Sequence, residues 1–102
     1  MKSEKKETRI AIFQKKEIRK IIHNNEWWFS VIDVIEALTG NERPRKYWND
    51  LKKKLISEGY VEVSEKIGQL KLEAPDGKMR ETDCANTETM FRIVQSIPLI
   101  YT

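Results

Sequence analysis

The segment "WWFSVIDVIEALTG" (27–40) runs from three aromatics into a helix-start signal without a spacer. Ser30 is a strong N-cap residue, and Asp33 follows three positions on, the spacing of a capping box. Val31, Val34, Ile35 and Leu38 then recur at helical intervals, and Gly40 suits a left-handed stop. At 1.5 Å per residue this helix has about two and a half turns, too few to be stable alone. It must be held by packing, and the extended aromatics that lead into it supply a surface. Trp27 and Phe29 share one face of a strand and Trp28 the other. One set belongs to the core under the helix; the odd ring packs on a flank or marks a contact surface.

Around this junction the chain reads as further short elements. "TRIAIFQ" (8–14) is a short strand with Ile10, Ile12 and Phe13 expected inside. Ile18 to Ile22 form one arm of a hairpin and "WWF" the other. Asn24-Asn25 lie in the turn, since both tolerate positive φ. Pro44 fits the first turn of a second helix, and Gly59 ends it. At 100° per residue, Trp48, Leu51 and Leu55 form its apolar stripe, with Lys46, Asn49, Asp50, Lys53 and Ser57 opposite. Val61, Val63, Ile67, Leu70 and Leu72 are strand material, and "APDGK" (74–78) is a turn with Gly77 at positive φ. Asn86 or Thr87 caps a last helix with Met90, Phe91, Val94 and Ile97 as its stripe, ended by Pro98. The expected fold class is α+β, a small single domain. Two short antiparallel hairpins, or one sheet, pack against about three helices in a loosely helix-turn-helix arrangement.

The 102 residues carry a formal net charge of only +3, but the charge is blocked. Residues 1–20 hold eight bases and three acids, residues 21–42 four acids and no base, and residues 43–56 six bases and one acid. Two concentrated basic segments are compatible with an anionic partner. An ordinary solubilising face accounts for them equally well. Cys84 is the only cysteine, which excludes an intrachain disulfide and a clustered-cysteine zinc site. The N-terminus lacks an apolar signal-peptide core, and no apolar run is long enough to span a bilayer. The expectation is therefore no membrane partner and a cytoplasmic location.

Catalytic patterns are missing. His23, the one histidine, stands beside a turn with no patterned cysteine or acid near it. No phosphate loop, HExxH or EF-hand loop is present. Asp33 is accounted for as a cap and Asp76 as a turn residue. The reading is not an enzyme, with no cofactor and no metal. The candidate interface is the basic helix. Lys46, Asn49, Lys53 and Lys54 lie on or beside its outer face, and Arg43 and Arg45 near its start, where free N–H groups favour phosphate. Lys78 and Arg80 on the second hairpin are a second basic element that can follow the backbone of double-stranded DNA. Trp27, Trp28 and Phe29 are poorly placed to stack on single strands, because no base flanks them between positions 21 and 42.

Taken together, "WWFSVIDVIEALTG", "YWNDLKKKLISEG" and "QLKLEAPDGKMRETDCANTETMFRIVQSIP" resemble the N-terminal domain of the BRO family, the baculovirus repeated proteins and prophage antirepressors. The likeness extends from about Ile10 to Pro98. Residues 1–7, "MKSEKKE", read by themselves as a flexible basic tail; the likeness implies a DNA-binding domain at 8–98 and a truncated C-terminal extension at 99–102, since the family normally continues. It also implies a DNA-binding module of a prophage antirepressor-like transcription regulator. The alternative is a protein-interaction module that binds a repressor protein or self-associates as a homo-oligomer, without DNA contact. Among the residues shared with the family pattern, Lys52 beside the apolar stripe is better placed to bridge the helix to an acid on the hairpin than to reach DNA.

Overall fold

The computed structural model describes residues 7–13 and 15–98. Most of the expected 1–7 tail and all of the 99–102 extension lie outside these. The elements run β1 (Arg9–Phe13), β2 (Lys16–His23), β3 (Glu26–Ser30), α1 (Val31–Thr39), α2 (Pro44–Ser57), α3 (Val61–Glu65), β4 (Gly68–Glu73), β5 (Met79–Asn86) and α4 (Thr87–Gln95). The α+β fold is as expected, but the hairpins merge into one five-stranded antiparallel sheet of order β1-β2-β3-β5-β4.

Local signals explain most of the element ends. Asn24 and Asn25, at φ 53° and 63°, make the tight reversal between β2 and β3. β3 passes directly into α1 at Ser30, whose Oγ accepts from Asp33 N–H at 3.4 Å, and Gly40 closes the helix at φ 67°. Pro44 opens α2. Gly77, at φ 85°, completes the 74–78 turn, where its N–H donates to Ala74 O at 2.8 Å. Asn86 caps α4 by accepting from Thr89 N–H at 2.9 Å.

Residues that pair across the strands share a face. One face carries Ala11, Ile18, Phe29 and Ala85, and the helices cover it. Val31, Val34 and Ile35 of α1, Trp48, Leu51 and Leu55 of α2, and Met90 and Ile93 of α4 complete this core. The other face carries Ile21, Trp28, Leu70, Leu72 and Cys84, which form a second, smaller cluster. β2 and β4 are three strands apart in the sheet, yet Ile21 and Leu72 meet in that cluster. In a flat sheet they would stand about 14 Å apart at 4.8 Å per strand. The sheet is therefore curled, and the Arg19 guanidinium, donating to Glu73 O at 3.2 Å, spans the curl. Gly68 permits the inner packing: a Cβ there would lie 3.0 Å from the Trp28 ring. Burial pushes the Cys84 thiol up to about 12 in this cluster, so it is an inert filler.

Three expectations fail, each for a physical reason. Val61 and Val63 form a short helix and not a strand. Their alternation would put both on one strand face, but on a helix they lie about 200° apart. Val63 is accordingly buried and Val61 exposed. On α4 the buried stripe is Met90 and Ile93, continued by Ile97 just past the helix end, which leaves Phe91 63% exposed. On β1 it is Ala11 that faces the helices, whereas Ile10, Ile12 and Phe13 are 47%, 66% and 41% exposed. The strand is at the sheet edge, so its flanking side chains are left uncovered.

Candidate nucleic-acid interface

α2 is laid on α1 and α3 by its Trp48–Leu51–Leu55 stripe, in the phase expected from the sequence. A single acid fastens it to the sheet. Asp83 on β5 accepts from Trp48 Nε1 at 2.8 Å, from Lys52 Nζ at 3.2 Å and from Gln69 Nε2 at 3.3 Å. Burial would raise this carboxyl, but the hydrogen bonds from Trp48, Lys52 and Gln69 prevail and hold it below the usual carboxylate range. Lys52 is thus part of the scaffold, bridging helix to hairpin as expected from its position beside the stripe.

Beside that stripe Tyr47 packs on the core, and the other basic and polar side chains face away from it. Arg43, Arg45, Lys46, Asn49, Lys53 and Lys54 are all exposed. No side chain caps the helix start, and its first turn holds no acid. Asn41 Oδ1 instead accepts from Arg43 N–H at 2.7 Å, which fixes the approach to Pro44. The N-terminal N–H groups and their partial positive charge therefore stand beside Arg43 and Arg45. Lys46 is less available, because its ammonium pairs with Asp50 one turn on at 3.0 Å. Arg43, Arg45, Lys53 and Lys54 make no ion pair with any described residue.

The second basic element is partly spent inside its own turn. Arg80 pairs with Asp76 at 2.6 Å, and Lys78 N–H donates to Asp76 Oδ1 at 3.0 Å. These bonds, the Lys78 backbone first, lower the Asp76 carboxyl. Lys78 keeps an exposed ammonium. The base of this turn lies by Thr8 and Arg19, since Thr8 Oγ1 accepts from Glu73 N–H and Arg19 reaches Glu73 O. The α2 stripe, by contrast, meets the sheet at Asp83, paired with Gln69 near the other end of β4. The two basic elements thus attach near opposite ends of one hairpin.

The aromatic run is structural. Phe29 packs in the main core, and Trp28 fills the inner cluster while donating Nε1–H to His23 O at 3.1 Å. Trp27 is half-buried under Lys20, whose ammonium stands 4.1 Å from the ring centre. Sequence reasoning gave Asp33 a capping role only. In the structure its carboxylate turns to Arg19, receiving Nε–H at 2.7 Å and Nη2–H at 3.0 Å, together with the Arg19 backbone N–H at 2.9 Å. The pair is 14 residues apart, and no local pattern announces it.

No cluster of histidine, cysteine and acid fit for a metal occurs among the described residues, and no described helix is long and apolar enough to cross a membrane. No curated protein and no solved structure matches the chain significantly. A family model does match, that of the BRO family, N-terminal domain, over residues 17–100. This span covers most of the chain and every element from β2 to α4, and the protein belongs to the BRO family through this N-terminal domain.

Proposed function

We propose that this domain is the DNA-binding module of a prophage antirepressor-like regulator, and that α2 meets the DNA. The observation that carries this is the outward surface of α2. It presents Arg43, Arg45, Lys53 and Lys54 with no internal counter-ion among the described residues, next to an uncapped helix start. In this reading those four side chains neutralise phosphates and Asn49 reaches a base edge. Lys46 contributes after giving up Asp50. Lys78 and Arg80 are secondary contacts, and Arg80 must first leave Asp76. Antirepressor behaviour, in which a repressor protein is the partner, rests on the family alone.

The test is a binding titration on duplex DNA at several salt concentrations, with Arg45, Lys53 and Lys54 all replaced by Ala. Each lost phosphate contact removes about 0.9 from the slope of log affinity against log salt, so the triple variant should lose about 3. An unchanged slope and affinity would remove α2 from the interface. A second reading, a protein-binding module, is favoured by one feature. An open apolar groove of about 360 Å³ lies between the sheet, α1 and α4, with Phe13 and Phe91 on its rim. Under that reading the triple variant still captures its partner protein.

A further inference from the structure

The apolar groove between the sheet, α1 and α4 has one-sided charge around it. Alternate residues of a strand share a side, so Lys16, Ile18 and Lys20 of β2 stand together on the face toward the helices. Ile18 lines the groove. Lys16 pairs across strands with Phe13 and Lys20 with Phe29, and both rings line it too. The two lysines therefore stand on either side of Ile18 at the groove. Among the described residues neither has a carboxylate partner, and the Lys20 ammonium rests on the Trp27 ring. Arg9 shares this face but is paired with Glu7 at 3.5 Å. The acids are elsewhere. No acid falls on this face of β1, β2 or β3, whose own acids Glu17 and Glu26 lie on the other. Glu17 shares a separate cleft with Arg19, Asp33, Glu36 and Glu73, so the α1 acids point away from the groove. Glu88 of α4 lies toward α3, by Lys66 and Arg92.

We propose that this groove takes an acidic amphipathic helix of a partner protein, with its apolar face on Phe13 and Phe91 and its carboxylates on Lys16 and Lys20. Phe13 and Phe91 stay exposed on the rim, an apolar patch of the kind that a partner covers. Anchors at helical spacing fill such a groove, and the unpaired lysines select the sign of the charges beside them. A nucleic-acid strand fits less well. Thr87 is the only polar side chain lining the groove among the described residues, so nothing there reads base edges. Val34 and Leu38 of α1 and Val94 of α4 supply aliphatic groups where stacked bases need flat rings. The proposal names the partner chemistry for the protein-binding reading and rests on that reading. No α2 residue takes part, so DNA binding holds or fails independently of it.

The experiment selects a displayed library of random peptides, each about 15 residues long, on the full 102-residue chain. An enriched peptide is then titrated by fluorescence anisotropy. Enriched peptides should carry apolar residues at i, i+3 or i+4, and i+7, with Asp and Glu over-represented beside them. Phe91→Asp, at an exposed site, should keep the fold by circular dichroism and weaken the peptide at least about tenfold. Lys16→Glu should weaken it less, and a Lys scan of the peptide's acids should find a position that restores binding to this variant. The α2 triple variant should bind the peptide unchanged. Enriched peptides that are neutral or basic, or binding indifferent to Lys16→Glu, overturn the acidic partner and leave a protein-binding groove. No enriched peptide, or binding indifferent to Phe91→Asp, overturns both. A thymidine oligomer that displaces the peptide gives the groove to single-stranded nucleic acid and also overturns the proposal.

Discussion

α1 and α2 are consecutive amphipathic helices packed on one another, yet the fold uses them differently. α1 is nine residues long, lies on the sheet and buries Val31, Val34, Ile35 and Ala37. It carries no basic residue, and its one first-turn acid is locked to Arg19. α2 is fourteen residues long and buries only Trp48, Leu51 and Leu55. One helix is consumed by packing; the other spends a single stripe and leaves its remaining surface to solvent. A basic run is open to a partner only when the helix beneath it is anchored by few residues. The cost is that those few residues carry a large share of the attachment.

The largest expected effect tests that concentration directly. Trp48→Ala removes a ring only 3% exposed and leaves Asp83 without its shortest donor. A loss of about 3–5 kcal/mol is expected, most of the margin of a small domain. In thermal or urea unfolding Trp48→Phe should fall between the two, since it keeps much of the volume and loses the donor. Near-wild-type melting of Trp48→Ala would mean that α2 is held elsewhere, and the contrast with α1 would collapse.

The attachment of α1 breaks in a different way. The Arg19 and Asp33 side chains are only 17% and 14% exposed, and a fork of two hydrogen bonds joins them. Arg19→Met leaves the Asp33 carboxylate largely buried with the backbone N–H of residue 19 and no counter-charge. About 2–4 kcal/mol is expected, below the full cost for a deeply buried pair because some solvent reaches it. Arg19→Met combined with Asp33→Asn should recover part of the loss, a coupling that a double-mutant cycle measures. If the two effects simply add, the pair does not hold α1 to the sheet.

These two fastenings differ in how far the sequence discloses them. The Trp48 stripe follows from 100° periodicity, and Lys52 from its place at the border of that stripe. Likewise Asn24-Asn25, Ser30, Pro44 and the "APDGK" turn are local chemistry, and each falls where residue type predicts. The Arg19–Asp33 pair depends on which face of β2 turns inward and on the curl that brings Glu73 to Arg19. Both are set by strand order, which no local pattern encodes. The α3 turn was missed because Val61 and Val63 satisfy a period of two over too short a stretch to decide. In the candidate interface, exposure of Asn49, Lys53 and Lys54 follows from the same helix phase, whereas Arg43 precedes the helix and Arg45 borders the stripe, so the phase alone does not give theirs. The engagement of Lys46 with Asp50 is a four-residue spacing visible in the sequence. That of Arg80 with Asp76 needs the reversal at Gly77 to bring the two together.

The smallest effect concerns pH and separates the chemistry at Asp83 from the packing at Trp48. The Asp83 carboxyl lies below its ordinary value in the folded protein, because its donors outweigh burial. A group depressed in this way contributes stability that is complete above its unfolded value, near pH 4. That contribution is lost as the pH falls through the folded value. Asp83→Asn can still accept from Trp48 Nε1, but it loses the charge that Lys52 meets and sets its own amide against those donors. At neutral pH the variant should be less stable by about 1 kcal/mol. Below about pH 4 the difference should narrow, since the wild type then loses what the variant already lacks. Urea unfolding of both proteins from neutral to acid pH measures the gap. A gap constant with pH would assign the loss to geometry at the Trp48 contact. A narrowing gap assigns it to the carboxylate charge, and makes the attachment of α2 weaken in acid through Asp83.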